Sequence, residues 1–398
     1  MSKKRIGIFG GTFDPVHTGH QIIAFCALDS GNLDRLYVIP TGCPPYKTVY
    51  ASGEDRWRMV SAAFSGNKRI VPSRVEIDRD GPTHAIDTVK ALRREHPDDA
   101  LFFIVGEDAL VNIPRWYRAT DLFPLCAFMV ISREASVPSV SSADAVRHLT
   151  SLGARIVRLS AFPGNISSGM VREAFAAGGT PDGLDPAVLE YCACKGLYGA
   201  APRFPRAGEW TDALFGALKP HRFAHSLSVA LTSVRLAVRY GEDPVLAEEA
   251  GLLHDCAKNL PLEEMQSIAR EMSLTDDPDM LSAPSLLHSV AGAGVARARY
   301  GMEDPRVLEA IAYHNTGYPG MSRLAMCVCL ADYIEPRRDS FPQLEAVRAE
   351  SERSLEKALL MSLEVTADYV ISRNQYLHPR TRDTIRWLKT LPACSENN

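Results

Sequence analysis

The chain of 398 residues lacks the features that mark several large classes of protein. It has no apolar run near the ~20 residues of a membrane-spanning helix. Its basic N-terminal segment is followed by Gly10 and Gly11, without the apolar stretch of a signal peptide. Its nine cysteines are an odd number without the spacing of a disulfide framework. Its net charge of only −4 argues against non-specific binding of nucleic acid. We therefore expect a protein of the reducing cytoplasm with neither membrane nor nucleic-acid partners.

The length allows about two or three domains in all. The first half of the sequence alternates predicted strands and helices, as in an α/β domain. Short runs rich in Ile, Val and Phe alternate with helical stretches such as Gly19–Ser30 and Ala85–Glu95. Apolar strands separated by helices predict a doubly wound parallel sheet, in which ligands bind beyond the carboxyl ends of the strands. The predicted strands are Ile6–Phe9, Leu36–Ile39, Leu101–Val105, Ala127–Ile131 and Ile156–Leu159.

The second half shows no strand pattern and predicts an all-α helical bundle. From Arg222 to Tyr240, apolar residues recur every three or four positions, as on the buried face of a helix. Pro202 and Pro205 interrupt the preceding stretch, which has no periodicity. We therefore predict a first domain over residues 1–199, a linker over 200–217, a second domain over 218–391 and a tail over 392–398.

A glycine-rich segment follows the first strand and predicts a phosphate site. Gly10 and Gly11 allow a ligand to approach the backbone closely. His17 and His20 are three residues apart at the start of a helix, so their imidazoles lie near its unpaired N–H groups and positive dipole end. Positioned donors of this kind suit a triphosphate that is attacked at phosphorus, because charge develops on the phosphate oxygens.

The segment from Gly10 to His20 resembles the H-x-G-H nucleotidyltransferase superfamily, and about the first 198 residues resemble bacterial nicotinate-nucleotide adenylyltransferases. Ile166–Arg172 is similar to the second phosphate motif, and Phe103–Leu110 with Pro114–Trp116 is similar to the segment that reads the nucleotide and the pyridine ring. The resemblance implies a Rossmann-like fold and Mg²⁺-dependent transfer of AMP from ATP to nicotinate mononucleotide. It implies that His17, His20 and Arg172 are catalytic. The substrate-binding residues that it implies are Gly10, Gly11, Thr12, Phe13, Lys47, Arg56, Thr83, His84, Ala85, Gly106, Asp108, Trp116, Ser167 and Ser168.

Three departures from that family concern the choice of substrate. The family usually has His where Tyr46 stands, a small residue where Glu107 stands, and an aromatic-Thr pair where His84 and Ala85 stand. An added carboxylate at Glu107 would disfavour a negatively charged ring, whereas the backbone at residues 83–85 can still bind a carboxylate. The sequence leaves nicotinate mononucleotide as the first choice and nicotinamide mononucleotide as the alternative.

Six residues of the second half form a candidate metal site. Buried imidazoles and carboxylates without partners are costly, and a metal satisfies several at once. A set of nitrogen and oxygen ligands without thiolates suits iron, manganese or similar ions better than structural zinc. Six ligands are too many for one catalytic ion with open positions, so we expect two ions that share Asp255. The set is His225, His254, Asp255, His288, His314 and Asp332.

The segments around these residues resemble the HD superfamily of phosphohydrolases, and residues 218–391 resemble its YqeK family. The resemblance implies symmetrical hydrolysis of diadenosine tetraphosphate to two ADP at a dinuclear centre of iron or another divalent transition metal. Lys258, one helical turn after His254, is positioned to meet a substrate phosphate, with Arg222, Arg337 and Arg338 as weaker candidates. The alternatives are hydrolysis of deoxynucleoside triphosphates or guanosine tetraphosphate, or a regulatory module that binds metal and nucleotide without turnover.

The whole sequence thus predicts a bifunctional cytoplasmic enzyme whose two halves handle adenine nucleotides. Its expected partners are ATP, nicotinate mononucleotide and diadenosine tetraphosphate, and a homo-oligomer is left open.

Overall fold

The computed structural model describes residues 3–44, 47–132, 140–161 and 164–394. The chain forms two compact units, one of Met1–Cys192 with Leu197–Ala200 and one of Ala193–Gly196 with Ala201–Asn398. Along the described ranges, no helix combines the length and the apolar character that crossing a bilayer requires. The predicted limits of the domains, 1–199 and 218–391, remain predictions.

The first unit is built on a six-stranded parallel sheet, which confirms the predicted fold class. The strand order is β3-β2-β1-β4-β5-β6. The short β3 was not predicted from the sequence, since three residues give too little pattern to recognise. The strands are β1 (Arg5–Gly11), β2 (Arg35–Pro40), β3 (Ile70–Pro72), β4 (Ala100–Gly106), β5 (Ala127–Ser132) and β6 (Ile156–Ser160).

Helices cover the sheet because its strands are apolar on both faces. Ile6, Phe103 and Phe128 belong to one buried cluster that the helices close off from water. Two 3₁₀ turns, Ile113–Arg115 and Leu197–Gly199, complete the unit. Its helices are α1 (Thr18–Asp29), α2 (Gly53–Phe64), α3 (Ala85–Glu95), α4 (Glu107–Leu110), α5 (Ala119–Leu122), α6 (Val140–Ser151), α7 (Ser168–Ala176) and α8 (Pro186–Cys194), of which residues 186–192 belong to this unit.

The strand order places a crevice at the carboxyl ends of β1 and β4. These two strands are paired neighbours, and the chain order reverses between them. Parallel sheets of this kind bind ligands in the crevice at such a reversal. β1 ends at Gly11 and β4 ends at Gly106, so the segments after both glycines line that edge of the sheet.

The second unit is all-helical in its described part, as the sequence predicts. The helices α10 and α11 approach closely at Gly251, where an added Cβ would lie 2.7 Å from the Ala230 Cα. The helices are α9 (Ala207–Ala217), α10 (Pro220–Tyr240), α11 (Pro244–Leu253), α12 (Leu262–Glu271), α13 (Pro278–Ser282), α14 (Pro284–Tyr300), α15 (Pro305–Tyr313), α16 (Arg323–Ile334), α17 (Pro342–Glu350), α18 (Leu355–Ser372) and α19 (Pro379–Thr390).

The stretch predicted as a linker, residues 200–217, is partly helical, a feature that the sequence analysis did not predict. Helix α9 occupies Ala207–Ala217 and buries Trp210 and Leu214. These two residues are four positions apart and so share one face of the helix. Pro202 and Pro205 lie before the helix and do not interrupt it. Of the predicted tail, residues 395–398 lie outside the described ranges.

Candidate active sites

A cavity of about 680 Å³ in the first unit lies where two helices begin. α1 begins after His17, and α7 begins after Ser167. Because the first N–H groups of a helix have no partners within it, two such ends facing one cavity favour a bound anion. The predicted site residues that line the cavity are Gly11, Thr12, Phe13, His17, His20, Lys47, Ser167, Ser168 and Arg172.

The two predicted histidines lie side by side at the start of α1. The His17 backbone N–H donates to His20 Nδ1 at 3.2 Å, and the ring centroids are 3.8 Å apart. Since a backbone N–H can only donate, His20 Nδ1 accepts, and the proton of the neutral ring lies on Nε2. Gly19 makes this packing possible, because a Cβ there would lie 3.0 Å from the His17 ring.

Helix α7 is tied to the loop that follows β1. The Ser168 hydroxyl donates to the Pro15 carbonyl at 2.9 Å, and Arg172 Nη1 donates to the Asp14 carbonyl at 2.7 Å. The Arg172 guanidinium also lies 4.4 Å from the centroid of the Tyr50 ring. These contacts hold the positive charge of Arg172 at the cavity wall.

The second unit brings all six predicted metal ligands together. His225 lies on α10, His254 and Asp255 follow α11, His288 lies on α14, His314 follows α15, and Asp332 lies on α16. The cluster is tight: His225 Nε2 is 2.9 Å from Asp332 Oδ1, His288 Nε2 is 3.2 Å from Asp255 Oδ1, and the Nε2 atoms of His288 and His314 are 3.3 Å apart.

The four imidazoles of this cluster share one orientation, with Nδ1 turned to an oxygen and Nε2 turned inward. His254 Nδ1 is 2.7 Å from the Gly251 carbonyl, and His314 Nδ1 is 2.8 Å from the Ile311 carbonyl. The Nδ1 contacts of the other two rings are longer, 3.2 Å from His288 to the Pro284 carbonyl and 3.3 Å from His225 to Glu335 Oε1. For the neutral rings of His254, His288 and His314, an oxygen acceptor fixes the proton on Nδ1 and leaves a lone pair on Nε2, which is how metal-binding histidines are usually held.

Two overlapping groups of these atoms are compact enough to surround a metal ion. His225, His254 and Asp332 form one group, and His254, Asp255 and His314 form the other, with the ligand atoms of each within 4.8 Å of one another. His254 Nε2 is buried and makes no hydrogen bond to the described residues. Nitrogen and carboxylate donors around an orphaned buried nitrogen fit a divalent transition metal.

Comparisons with known proteins divide the chain in the same way. The cytidylyltransferase-like family matches residues 8–174, and the HD domain matches residues 222–337. A probable nicotinate-nucleotide adenylyltransferase of Gloeobacter violaceus is 40% identical over 201 residues, 49% of this chain and 96% of the relative. The symmetrical bis(5′-nucleosyl)-tetraphosphatase of Bacillus subtilis is 40% identical over 172 residues, 43% of this chain and 91% of the relative.

The chain belongs to the nicotinate-nucleotide adenylyltransferase family in its first half and to the HD-domain family of symmetrical tetraphosphatases in its second. Among solved structures, a predicted HD superfamily hydrolase involved in NAD metabolism, from Clostridium acetobutylicum, is 40% identical. It covers 45% of this chain and 95% of its own, with a TM-score of 0.44.

In the adenylyltransferase unit, Asp14 organises the phosphate loop, a role the sequence reasoning did not assign. Its carboxylate accepts from the Tyr198 hydroxyl at 2.7 Å and from the backbone N–H groups of Tyr50 at 2.7 Å and Ala51 at 3.1 Å. The acid lies within the glycine-rich motif itself, which is the signal that could have identified it.

Arg56, predicted to bind substrate, lies beneath the loops of the adenylyltransferase unit. Its side chain is 1% exposed, and burial lowers its pKa. The guanidinium donates to the carbonyls of Thr12, Thr41 and Gly42 at 2.6 to 3.1 Å. Arg56 therefore joins the loops after β1 and β2 and does not line the cavity.

A second set of predicted residues lies away from the cavity lining. Thr83 is buried and its N–H donates to the Cys43 carbonyl at 3.2 Å. His84 precedes α3 and packs on Tyr117 at 4.6 Å between ring centroids. Trp116 packs edge-on against Phe103, with 5.7 Å between the ring centroids.

The remaining predicted residues of this set lie at the ends of regular elements. Ala85 begins α3, while Gly10 and Gly106 lie at the ends of β1 and β4. The side chain of Asp108 lies outside what the structure describes.

Glu107, the departure that raised the question of ring charge, is paired with a cation. Arg158 Nη2 lies 2.8 Å from Glu107 Oε1, and the Ser142 hydroxyl donates to the same oxygen. Neither Arg158 nor Ser142 lies in a recognised motif, so this compensation could not be predicted from the sequence.

Burial and charge set the protonation of the six clustered residues of the second unit (His225, His254, Asp255, His288, His314 and Asp332), called the HD cluster below. Burial lowers the pKa of His254 and His288 and lowers that of His314 to about 4, which favours the neutral, ligating form. Burial also opposes the charged form of His225, but its hydrogen bonds with Asp332 and Glu335 outweigh that effect and raise its pKa to about 9. Although burial alone would raise the pKa of Asp255, the imidazoles of His254 and His288 hold it well below its usual range.

Two of the predicted cations border the HD cluster. Lys258 Nζ is 2.9 Å from His288 Nε2, and burial lowers its pKa. Arg222 Nη1 is 3.2 Å from Asp255 Oδ2. Glu335, which no sequence argument singled out, contacts His225 and is 4% exposed. Glu335 follows Asp332 by three residues at the end of α16, and residues at this spacing lie on the same face of a helix.

Proposed function

We propose that the adenylyltransferase unit transfers AMP from ATP to nicotinate mononucleotide, which gives deamido-NAD and pyrophosphate. The observation that carries this proposal is the cavity shared by the first turns of α1 and α7. The relatives named nicotinate-nucleotide adenylyltransferases support the choice of reaction.

The residues of the cavity suit a reaction that needs charge stabilisation more than a base. The attacking 5′-phosphate is largely ionised at neutral pH, since its second pKa is about 6. His17, His20 and Arg172 would donate to the triphosphate, where charge develops as the α-phosphorus is attacked. Lys47 is exposed at the edge of the cavity and would bind the departing pyrophosphate.

Mg²⁺ would enter this cavity with ATP. Asp14 is the only acidic residue among the described lining residues, and both of its carboxylate oxygens accept hydrogen bonds. Mg²⁺ commonly keeps several waters and binds through substrate phosphates, where it neutralises their charge. The residues present therefore fit a metal carried by the nucleotide better than a metal held by the protein.

The preference for nicotinate over nicotinamide is part of this proposal. Because Arg158 offsets the charge of Glu107, the pyridine-reading segment does not present an uncompensated carboxylate to a negatively charged ring. A coupled assay of NAD-type product with each pyridine mononucleotide tests the preference. We expect the higher kcat/KM with nicotinate mononucleotide, and a higher value with nicotinamide mononucleotide would contradict the proposal.

For the HD unit, we propose symmetrical hydrolysis of diadenosine tetraphosphate to two ADP at a dinuclear centre of iron or another divalent transition metal. The observation that carries this proposal is the common orientation of the four imidazoles, each with Nε2 inward. The Bacillus subtilis relative supports the choice of substrate.

The six clustered residues would hold the metal pair, and Asp255, which has two carboxylate oxygens, would be the shared ligand. Such a pair, when bound, would activate water and offset charge on the phosphate oxygens. Lys258 and Arg222 border the cluster and would bind a phosphate of the tetraphosphate bridge. Glu335 would fix the ring of His225 through Nδ1.

Product analysis on the full chain tests the HD proposal. The protein, supplied with iron or manganese, would be incubated separately with diadenosine tetraphosphate, dGTP and guanosine tetraphosphate. We expect ADP as the sole product of the first substrate and much slower turnover of the other two. AMP with ATP as products, or preferential turnover of either alternative substrate, would contradict it, and the absence of any turnover would favour a regulatory module.

A further inference from the structure

A cavity of about 280 Å³ in the HD unit lies away from the HD cluster. Its described lining comes from α13, α14, α15, α19 and the segment after α12, and includes none of the six metal ligands. Successive residues of an α-helix are about 100° apart, so the lining residues Val290 and Arg297 are about 200° and 180° around α14 from the ligand His288. The cavity therefore faces the side of α14 that is opposite to the metal site.

Most of the cavity wall is apolar. Met272, Leu274 and Leu308 line it, together with Met280 on α13. Methionine is flexible and polarisable, so such a wall can adapt to aromatic or aliphatic groups. Small-molecule sites are usually lined in this way, with a few polar groups that orient the ligand, and they usually measure about 300–1,000 Å³. A cavity just below that range suits a small ligand with an apolar body.

A guanidinium at this cavity has an unused hydrogen-bond donor. Arg380 Nη1 is buried and makes no hydrogen bond to the described residues, while the guanidinium lies 5.1 Å from the centroid of the Tyr313 ring. An unpaired buried donor is costly, so it favours a ligand that accepts from it. Because a guanidinium presents its N–H groups in a planar fork that matches two oxygens, the favoured acceptor is a carboxylate.

The charge of the lining also favours an anion. Its described charged residues are Arg297, Arg380 and Glu309, two cations against one acid, so the net charge is +1. Both carboxylate oxygens of Glu309 already accept hydrogen bonds, Oε1 from the Tyr318 hydroxyl and Oε2 from the Ser322 hydroxyl at 2.8 Å. Glu309 is therefore held by its own neighbours, and the guanidinium of Arg380 is left for a ligand.

We propose that this cavity is a second ligand site of the HD unit and that it binds a small monocarboxylate with an apolar body. The carboxylate binds Arg380, and the body packs against Met272, Leu274 and Leu308. Inorganic phosphate would use the guanidinium without the apolar wall, and a neutral apolar molecule would use the wall without the guanidinium. Only an apolar carboxylate uses both, and the site is independent of the proposed hydrolysis.

Photolabelling of the full chain with 4-azidobenzoate tests the site, with labelled peptides identified by mass spectrometry. We expect label in peptides that contain Met272, Met280 or Leu308. Benzoate should protect these peptides at a concentration about tenfold or more below that of two competitors, as one charge-assisted hydrogen bond would give. Benzamide has the same shape without the charge, and inorganic phosphate has charge without the ring. Absence of label from these peptides, or equal protection by either competitor, would overturn the proposal.

Matched variants test the role of the guanidinium. Arg380→Met removes the charge but keeps an apolar side chain, and the benzoate concentration that gives half-protection should rise about tenfold or more. Arg382→Met is the control, because Arg382 is exposed on the same helix and is not part of the described lining. Unchanged protection in Arg380→Met would overturn the proposal. Thermal melting shows whether the variants fold, and if Arg380→Met does not, the competition on the wild-type chain still decides.

Discussion

The adenylyltransferase cavity and the HD cluster both suit crowded phosphate oxygens, but they are assembled from different parts of the chain. The described lining of the first comes from three short stretches, residues 11–23, 47–50 and 164–172, and includes the starts of two helices. The ligands of the second come from five helices or their ends, spread between His225 and Asp332.

This difference has an energetic consequence. The first turn of a helix presents N–H donors as soon as the helix forms, and water can solvate them until a ligand binds. Buried imidazoles and carboxylates need partners in the interior, and within the HD cluster they now contact one another. If the proposed functions hold, the adenylyltransferase site would therefore be complete as folded, whereas the HD site would be complete only with its metal.

The largest expected effect comes from removing a carboxylate of the HD cluster. Asp255 is 2% exposed and lies beside three of the four histidines. Asp255→Asn should reduce ADP formation from diadenosine tetraphosphate by about a thousandfold, more than the 10–100-fold typical of outer-shell partners. Adenylyl transfer by the same preparation should be unchanged. The exposed Asp276→Asn is the control, and equal losses of both activities would show that the variant had damaged the fold.

The reciprocal change tests the adenylyltransferase site. His20→Ala removes an imidazole donor from the cavity and should lower kcat for deamido-NAD formation by about a hundredfold or more, the cost of one preorganised donor. Hydrolysis of diadenosine tetraphosphate should stay at the wild-type rate. The exposed His148→Ala serves as the control in the same unit. Near-normal transfer by His20→Ala would remove His20 from the proposed catalytic set.

A smaller effect is expected where a residue acts through a ligand. Glu335→Gln weakens the contact that orients His225, so metal affinity should fall about 10–100-fold. Titration with Mn²⁺, followed by recovery of hydrolysis and by bound metal, measures this directly. Glu345→Gln, at an exposed site on α17, should not alter it. If the affinity were unchanged, Glu335 would have no role in the metal site.

In the adenylyltransferase unit, the pair of Arg158 and Glu107 should affect substrate choice only moderately. Arg158→Met leaves the Glu107 carboxylate without its cation, and the ratio of kcat/KM for nicotinate over nicotinamide mononucleotide should fall about fivefold, since a partly exposed pair contributes about 1 kcal/mol. Arg147→Met, at an exposed position on α6, is the charge-matched control. A ratio that is unchanged or higher would show that this pair does not act on the pyridine ring.

The smallest effect concerns stability and pH in the HD unit. Burial, together with Asp304, Glu248 and Asp243, raises the pKa of Glu249 to about 7. The folded state therefore holds a proton that the unfolded state releases near pH 4.5, so the stability this group contributes falls as the pH rises from 4.5 through 7.

Removing that carboxylate should remove the pH dependence. Glu249→Gln should be more stable than wild type at pH 8, by about 1 kcal/mol after allowance for solvent screening, and equal to or less stable than it at pH 4.5. Urea unfolding at both pH values measures the difference. A stabilisation of the same size at both pH values would contradict the assignment to titration.

The sequence predicted the two folds well because each rests on local pattern. The apolar strands of the first unit and the amphipathic helices of the second are visible in windows of ten to twenty residues. Helix α9 was missed because two prolines precede it, and β3 was missed because it has only three residues.

The sites were predictable only in part, for a related reason. His17 and His20 share one helical turn, and His254 with Asp255 form a recognisable pair. Contacts that join distant segments were not visible: the Arg56 guanidinium beneath three carbonyls, the compensation of Glu107 by Arg158, and the contact of Glu335 with His225. Each depends on which side chains the packed fold places within about 3 Å, and that information is not local.

Metal content distinguishes the two sites, because only the HD site is expected to require a metal of its own. Elemental analysis would compare the full wild-type chain with His254→Ala, since His254 is common to both ligand groups. We predict about two divalent transition-metal ions per wild-type chain, their loss in the variant, and deamido-NAD formation at wild-type rate in both. A wild-type chain that takes up no transition metal, or a His254→Ala chain that retains it, would contradict the proposed metal site.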